Sequence, residues 1–407
     1  MNRREFLAGA VAAAAPPRKP NVLVFMSDQE SALVPGPVDR PHLRRLEQGA
    51  ARFTHAFCNT PQCSAARSAL LTGLEPNHTG VITNVDGGSL GKPLPRQMPH
   101  AGTVFGGAGY STGYFGKWHL GGNTPAGFVN TGKERSDDGV ASEAAAWIAR
   151  QSGPWLAWVS VVNPHDIYAL EKTAPRQGVR PPFSPLADLA SKPREQTEYV
   201  QKDQGRATRL YTPEDWVRYR SYYCSLIEKV DRNLGTVLGS VRDLDNTVVV
   251  YVSDHGDALG EHGLPFKGPF MYEELVRIPL VIRAPWAMRA GNRDDLVTQA
   301  DVMPTVAALA GVAWPKADGR PLLKPVARDA VFLEYYAKQK WVNPIRTVRT
   351  RRWKLNWYDR GNRELYDLAA DPHETRNLAG SPAHAKTEQE LAARLDKWRA
   401  PLISGAA

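Results

Sequence analysis

Three stretches of the chain are apolar from end to end and stop on a polar, chemically loaded residue. Asn21 to Ser27 (N-V-L-V-F-M-S) is followed at once by Asp28, Trp155 to Val162 by Asn163-Pro164-His165, and Asn246 to Val252 by Ser253-Asp254. A strand with one wet face alternates apolar and polar residues. A run without alternation is covered on both faces, as parallel strands between helices are. In open α/β sheets, ligands gather beyond the carboxyl ends of the strands. The runs therefore predict an α/β fold with a mostly parallel central sheet flanked by helices, and they put Asp28, His165 and Asp254 on one rim. If the first and third runs are neighbours, Asp28 and Asp254 share that edge. Two carboxylates held together repel unless a cation lies between them.

Cys63 to Gly73 (C-S-A-A-R-S-A-L-L-T-G) supplies a candidate nucleophile. Ala66, Ala69 and Leu70 form the apolar face of a short helix, and Gly73 is the residue type that ends one. Cys63 then stands at or near a helix N-terminus, where free N–H groups and the dipole favour negative charge. Arg67, four residues on, lies on the same face. A second string, Gly116-Lys117-Trp118-His119-Leu120-Gly121, follows the strand expected over Tyr110 to Phe115. Its two basic side chains, at i and i+2, point the same way into a crevice.

These strings resemble the type I, formylglycine-dependent sulfatases of the alkaline-phosphatase-like superfamily. That family's signature is Cys-x-Pro-x-Arg followed by x-x-x-Leu-Thr-Gly; here Ala65 stands where Pro is usual. Gly116 to Gly121 matches residue for residue. Further agreement lies in Pro164-His165, in Lys267 with Tyr272, Glu273, Arg277 and Pro279 around it, and in Glu364-Leu365-Tyr366-Asp367 with Asp371-Pro372 and Asn377-Leu378-Ala379. The resemblance implies that Cys63 is oxidised by a formylglycine-generating maturation enzyme to 3-oxoalanine, whose hydrate attacks the sulfur of a sulfate ester. It implies one divalent cation, Ca²⁺ first with Mn²⁺ or Mg²⁺ as alternatives, held by Asp28, Gln29, position 63, Asp254 and His255. Gln29 replaces a second Asp of the family, and His255 in the ligand set tilts the choice towards Mn²⁺. Arg67, Lys117 and Lys267 would neutralise the sulfuryl oxygens, His165 with Lys267 would protonate the leaving group, and His119 would take a proton from the hydrate. Asn84 falls where relatives place a substrate-contacting Asn, but in a loop rich in Gly, Pro and Asn it reads first as a turn-forming residue. The expected substrate is a sulfated small molecule or glycan. Gln29 and His255 also suit a phosphonate or phosphate-ester hydrolase on the same scaffold, and a Cys63 left as thiol would suit a non-catalytic anion-binding relative.

The ends of the chain carry other information. Asn2-Arg3-Arg4-Glu5-Phe6-Leu7, an apolar stretch to Ala15 and the small residues Ala13-Ala14-Ala15 resemble a twin-arginine export signal, so residues 1–18 are read as removed and the mature protein as periplasmic or secreted. That stretch is too short to span a bilayer, and no stable membrane insertion is expected. A net charge of +9 in 407 residues suits an anionic substrate. No Lys/Arg block alternates with aromatics, which argues against a nucleic-acid partner. Three cysteines, Cys58, Cys63 and Cys224, are not a disulfide framework. A Cys58–Cys63 or Cys58–Cys224 bridge is open in an oxidising compartment, though one using Cys63 is not expected.

Between these landmarks, Arg40 to Gly49, Thr103 to Ala108 and Ser142 to Gln151 read as helices. Arg52 to Asn59 reads as a strand leading to the cysteine. Ile167 to Leu210 is Pro-rich without a period and reads as a long loop walling the pocket. Thr212 and Pro213 start a long helix through Val217, Leu226, Val230, Leu234 and Val237. Ala300 to Gly311 reads as a helix with Asp301 structural. Residues 19–317 are taken as the catalytic domain. Residues 318–407 are taken as a small antiparallel sheet plus helix, with strands over Ala330 to Tyr336, Thr347 to Tyr358 and Arg363 to Asp367 and a helix over Glu388 to Trp398.

Overall fold

The computed structural model describes residues 18–398, apart from 123, 124, 126, 172 and 185. The export-signal reading of Asn2 to Ala15 lies outside the described residues. The described residues form twelve strands: β1 (Asn21–Asp28), β2 (Ala51–Phe57), β3 (Ser111–Gly116), β4 (Asn130–Thr131), β5 (Trp155–Pro164), β6 (Thr247–Ser253), β7 (Leu280–Arg283), β8 (Gly291–Thr298), β9 (Ala330–Lys338), β10 (Trp341–Thr350), β11 (Trp353–Tyr358) and β12 (Arg363–Asp367). The first eight make one sheet in the order β4-β3-β5-β1-β6-β7-β2-β8. It is parallel except at β7, which runs antiparallel to both β6 and β2.

The three apolar runs are its central strands, and their lack of alternation has the expected cause. Val22, Val24 and Met26 join Leu156, Trp158, Val248, Val250 and Val252 in the core on one face. Leu23 and Phe25 join Ala157, Val159, Val249 and Tyr251 in the core on the other. The second face is covered by helices Pro41–Glu47, Asp137–Ala149 and Pro213–Leu238, and the first by helices Cys63–Thr72 and Val302–Ala310. β1 pairs in parallel with β6, Ser27 beside Ser253, and with β5 on its other side. Asp28 and Asp254 therefore leave the sheet together at its carboxyl edge.

β9 to β12 form an antiparallel sheet in the order β12-β11-β10-β9. Val348, Leu355 and Leu365 on one face pack on Leu391 and Leu395 of helix Ala385–Trp398. Leu333, Tyr335, Ile345, Tyr358 and Tyr366 on the other belong to the same core as the main sheet. Among the described residues no helix is long and apolar enough to cross a membrane.

Several boundaries differ from the sequence reading. Thr347 to Tyr358 is a hairpin of two strands, with Arg349 paired to Lys354 across the turn. The turn is built from Arg351 and Arg352 rather than from Gly, Asn or Pro, so no punctuation marked it. The stretch Ile167 to Leu210 holds a helix, Arg194–Lys202, whose buried residues include Glu195, Gln196 and Tyr199. Half of its buried face is polar, which hides an apolar period. Helix Asp137–Ala149 starts five residues early on the Ser136 cap, and Asp137 accepts hydrogen bonds from Val162 and Asn163 at the end of β5. The Thr212 cap and Pro213 are as expected, closed by Asp215 into a capping box. Cys58, Cys63 and Cys224 are buried free thiols.

Asp301 fills the structural role expected of it. Fully buried, it accepts from Thr298 N and Arg320 N, both at 2.8 Å, and takes a two-pronged contact from Arg328 at 2.6 and 2.9 Å. Asp301→Ala strands a largely buried guanidinium and should destabilise the fold by about 3–5 kcal/mol in urea unfolding.

Candidate active site

The site begins with the local geometry of residue 63. Helix Cys63–Thr72 has Gln62 as an N-cap whose side chain makes no capping hydrogen bond, and it ends on Gly73 at φ +73°. Its second N–H, Ser64 N, is satisfied from a distance by Asn84 Oδ1 at 3.1 Å. This is the first departure from expectation: the amide oxygen of Asn84 caps the helix that presents Cys63. Cys63 is buried at the first helical position, with its sulfur over the carboxyl rim of β1 and β6.

Around that sulfur the predicted residues converge. Cys63 Sγ lies 3.2 Å from His255 Nε2, 3.9 Å from Asp28 Oδ1, 3.2 Å from Lys267 Nζ and 3.8 Å from Lys117 Nζ. His255 Nδ1 is 2.9 Å from the carbonyl oxygen of Gly256. That contact keeps a proton on Nδ1 and turns Nε2 to the cluster. Lys117 also reaches Asp28 Oδ2 at 2.6 Å, and Lys267 donates to Gln29 Oε1 at 2.6 Å. His119 is close enough to Cys63 to favour its ionised form. His165 is only partly buried and lies tilted against Tyr168 with ring centroids 4.7 Å apart. Tyr168 in turn lies on Phe266 and under Lys267 Nζ.

Arg67 sits in a different place from the one expected. Its Nε donates to Asp254 Oδ2 at 2.9 Å and its Nη2 to Asp28 Oδ2 at 2.5 Å, while Nη1 donates to Lys117 O and Ser160 Oγ at 2.6 and 2.8 Å. With no exposed surface and its donors turned to protein acceptors, Arg67 braces the two carboxylates instead of facing sulfuryl oxygens. Burial and the neighbouring Cys63 oppose ionisation of Asp28, but Lys117 and Arg67 prevail and hold it well below the usual carboxylate range. Asp254 goes the other way, raised by burial and by Asp28 beside it. The two titrate as a pair. Burial alone would raise the Cys63 thiol; Lys117, Lys267 and His255 reverse that and hold it well below the usual cysteine range. Burial pushes Cys58 well up and Cys224 up to about 11. Of the three thiols, Cys63 alone is prepared for chemistry.

The donor set suits a divalent cation. Asp28, Cys63, Asp254 and His255 are all buried and each places one ligand atom within 4.8 Å of the others. Two carboxylates, an imidazole nitrogen and position 63 offer the charge such an ion needs, and Gln29 Oε1 lies beside them through Lys267. Sequence reasoning missed Ser160, Asp257 and Tyr168. Ser160 could have been noticed as the one hydroxyl inside an apolar run, and Asp257 as a second carboxylate in Ser253-Asp254-His255-Gly256-Asp257.

A parallel sheet carrying a buried acidic cluster at its carboxyl rim, with a helix-borne cysteine over it, is the arrangement of an alkaline-phosphatase-like hydrolase. The family model described as Sulfatase matches residues 20–312, and one described as N-sulphoglucosamine sulphohydrolase, C-terminal, matches residues 260–401. The chain belongs to the sulfatase family and is a sulfuric ester hydrolase. It is 27% identical over 439 aligned residues to a Delta 4,5-hexuronate-2-O-sulfatase of Bacteroides thetaiotaomicron, covering 96% of this chain and 91% of that one. It is 28% identical to a choline-sulfatase of Rhizobium meliloti, covering 93% and 86%. The solved structure of a 2-O GAG sulfatase shares the fold at a TM-score of 0.83, with 24% identity over 94% of this chain and 92% of that one.

Arg67→Met should remove the guanidinium that reaches both carboxylates and leave Lys117, at Asp28, to offset them. The metal-depleted variant should lose about 3 kcal/mol or more of stability. Added divalent cation should raise its thermal midpoint more than that of the parent protein, as measured by melting with and without the ion.

Proposed function

We propose that this enzyme hydrolyses a sulfate ester on a sulfated glycan or small molecule, using a formylglycine made from Cys63 and one divalent cation. The convergence of Lys117, Lys267 and His255 on the Cys63 sulfur, beside the two carboxylates, carries this reading. Asp28, Gln29, Asp254 and His255 would hold the cation together with position 63. When bound, it offsets the paired carboxylates and eases ionisation of a hydroxyl at position 63, which the formylglycine hydrate provides. Ca²⁺ is the first expectation, and the imidazole of His255 admits Mn²⁺.

The chain's own groups divide the remaining work. Lys117 and Lys267, whose ammonium groups flank position 63, bind and neutralise the sulfuryl oxygens and hold sulfur in line. Arg67 contributes at one remove by keeping Asp28 and Asp254 ionised and in place. His119 accepts the proton that position 63 must give up for sulfate to leave. His165, at the outer edge on Tyr168, hands a proton to the leaving ester oxygen. The support for residues 19–317 as the catalytic unit and 318–407 as a covering unit is the change from a parallel to an antiparallel sheet after Leu309. The Arg3-Arg4 string supports export of the folded, already modified enzyme to the periplasm or beyond.

The decisive experiment is to produce the enzyme with a maturation enzyme, establish the aldehyde at position 63 by peptide mass, and assay a panel of sulfated sugars, choline sulfate and aryl sulfate. Cys63→Ala should abolish turnover. Lys267→Ala should lower kcat/KM about 10²–10³-fold, as loss of one charge-stabilising donor does. A thiol that persists at Cys63 in active enzyme would overturn the reading. Replacing Arg3 and Arg4 by Lys should leave the protein in the cytoplasm on fractionation; unchanged export would refute the twin-arginine route.

A further inference from the structure

Gln29 is the weak point of the cation-holding set. A carboxylate offers an oxygen whichever way it turns, but an amide offers an acceptor at one end and a donor at the other. The two ends have nearly the same shape, and the wrong one would point N–H groups at a cation. Something must choose between them. Gln29 Nε2 donates to Asp257 Oδ2 at 2.7 Å, which leaves Oε1 turned to Lys267 Nζ at 2.6 Å, itself 3.2 Å from Cys63 Sγ. Asp257 cannot rotate away from this duty. Its Oδ1 accepts from Leu259 N at 2.7 Å and from Tyr219 Oη at 3.0 Å. The main chain is pinned as well: Gln29 N donates to Asp254 Oδ1 at 3.0 Å, and Gln29 O accepts from Tyr223 Oη at 2.7 Å, at a left-handed φ of +69°. Gln29 and Asp257 have no exposed surface.

We propose that Asp257 is a positioning residue whose task is to select the amide orientation of Gln29, keeping its carbonyl oxygen towards the cluster of Asp28, Cys63, Asp254 and His255. With Oδ1 taken by Leu259 N and Tyr219 Oη, Asp257 turns Oδ2 as an acceptor to Gln29 Nε2, which disfavours the flipped amide. The carbonyl oxygen has a second lone pair free for the cation while it accepts from Lys267. The requirement exists because position 29 is Gln; a carboxylate there would not need it. This inference rests on the reading of Gln29 as a cation ligand.

The test is Ca²⁺ and Mn²⁺ affinity, measured by calorimetry on the formylglycine-bearing enzyme after chelator treatment, in a double-variant cycle. In Asp257→Asn the Tyr219 and Leu259 donors keep the Asn oxygen, so its NH₂ faces Gln29 and favours the flipped amide. Affinity should fall about 10–100-fold, the usual cost of losing a group that orients a ligand. In a Gln29→Asp background, where there is no amide to flip, the same Asp257→Asn change should cost less than about 3-fold. Equal losses in the two backgrounds, or none in the parent, would overturn the proposal. A melting midpoint in chelator unchanged by Asp257→Asn separates this effect from a folding defect. Gln29→Leu with undiminished affinity would instead remove Gln29 from the ligand set, and the positioning role would fall with it.

Discussion

Two carboxylates buried side by side are the constraint around which this molecule is built. Asp28 and Asp254 project from the ends of adjacent parallel strands, with no solvent to screen them. Left alone, one would take up a proton to relieve the repulsion. Arg67 opposes this by reaching both, which it can do because helix Cys63–Thr72 crosses above the same rim. The guanidinium is the right group for the purpose: planar, always charged, and able to serve two acids and two further acceptors at once. Lys117 meets Asp28 from the other side, 2.6 Å from Oδ2, so the pair is flanked by two cationic groups.

The same helix explains why one cysteine of three is chemically distinct. Burial disfavours a thiolate at each position. Position 63 alone has ammonium groups on two sides and an imidazole whose Nε2 is turned to it. Those groups come from three separate segments: after β3, after β6 and from the loop before Tyr272. Their meeting is a property of the sheet topology: β1 between β5 and β6 brings the ends of three strands to one spot. What binds an anion at position 63 is therefore a set of positive groups made rigid by the fold before any substrate arrives, which is where such groups act most strongly.

Much of this could be read from the sequence, for identifiable reasons. The parallel sheet was legible because Val22–Met26, Leu156–Val161 and Val248–Val252 are apolar on both faces, and a two-sided core needs that. Asp28, Asp254 and His165 were legible because they terminate those runs, and Cys63, Lys117 and Lys267 because their strings are specific. What could not be read was the far end of each side chain. Spacing put Arg67 on the face of Cys63 but could not say that Asp28, Asp254, Ser160 and Lys117 O would consume its donors. Asn84 read as a turn residue or a substrate contact, because the backbone it caps is twenty residues away in sequence. Helix Arg194–Lys202 escaped because it buries Glu195 and Gln196, which only the C-terminal sheet, through Glu364 and Asn362, makes tolerable.

That sheet does more than cover the core. The segment carrying Lys267 continues into Met271, Tyr272 and Glu273, and the sheet grips it there. Lys354 of β11 donates to Met271 O at 2.8 Å and pairs with Glu273 and Glu374, while Arg349 of β10 contacts Glu273 at 3.0 Å. Tyr272 Oη donates to Gln196 Oε1 at 2.7 Å, and Glu273 N donates to Glu374 Oε2 at 2.8 Å. All of these groups are buried, so each is costly unless paired, and the network is satisfied in only one arrangement. A buried polar lattice of this kind gives less in stability than in definition: it fixes where the loop lies. The ammonium of Lys267 is thereby held near position 63 in part by Arg349, Lys354 and Glu374. The active site and the C-terminal sheet are in this sense one structural unit.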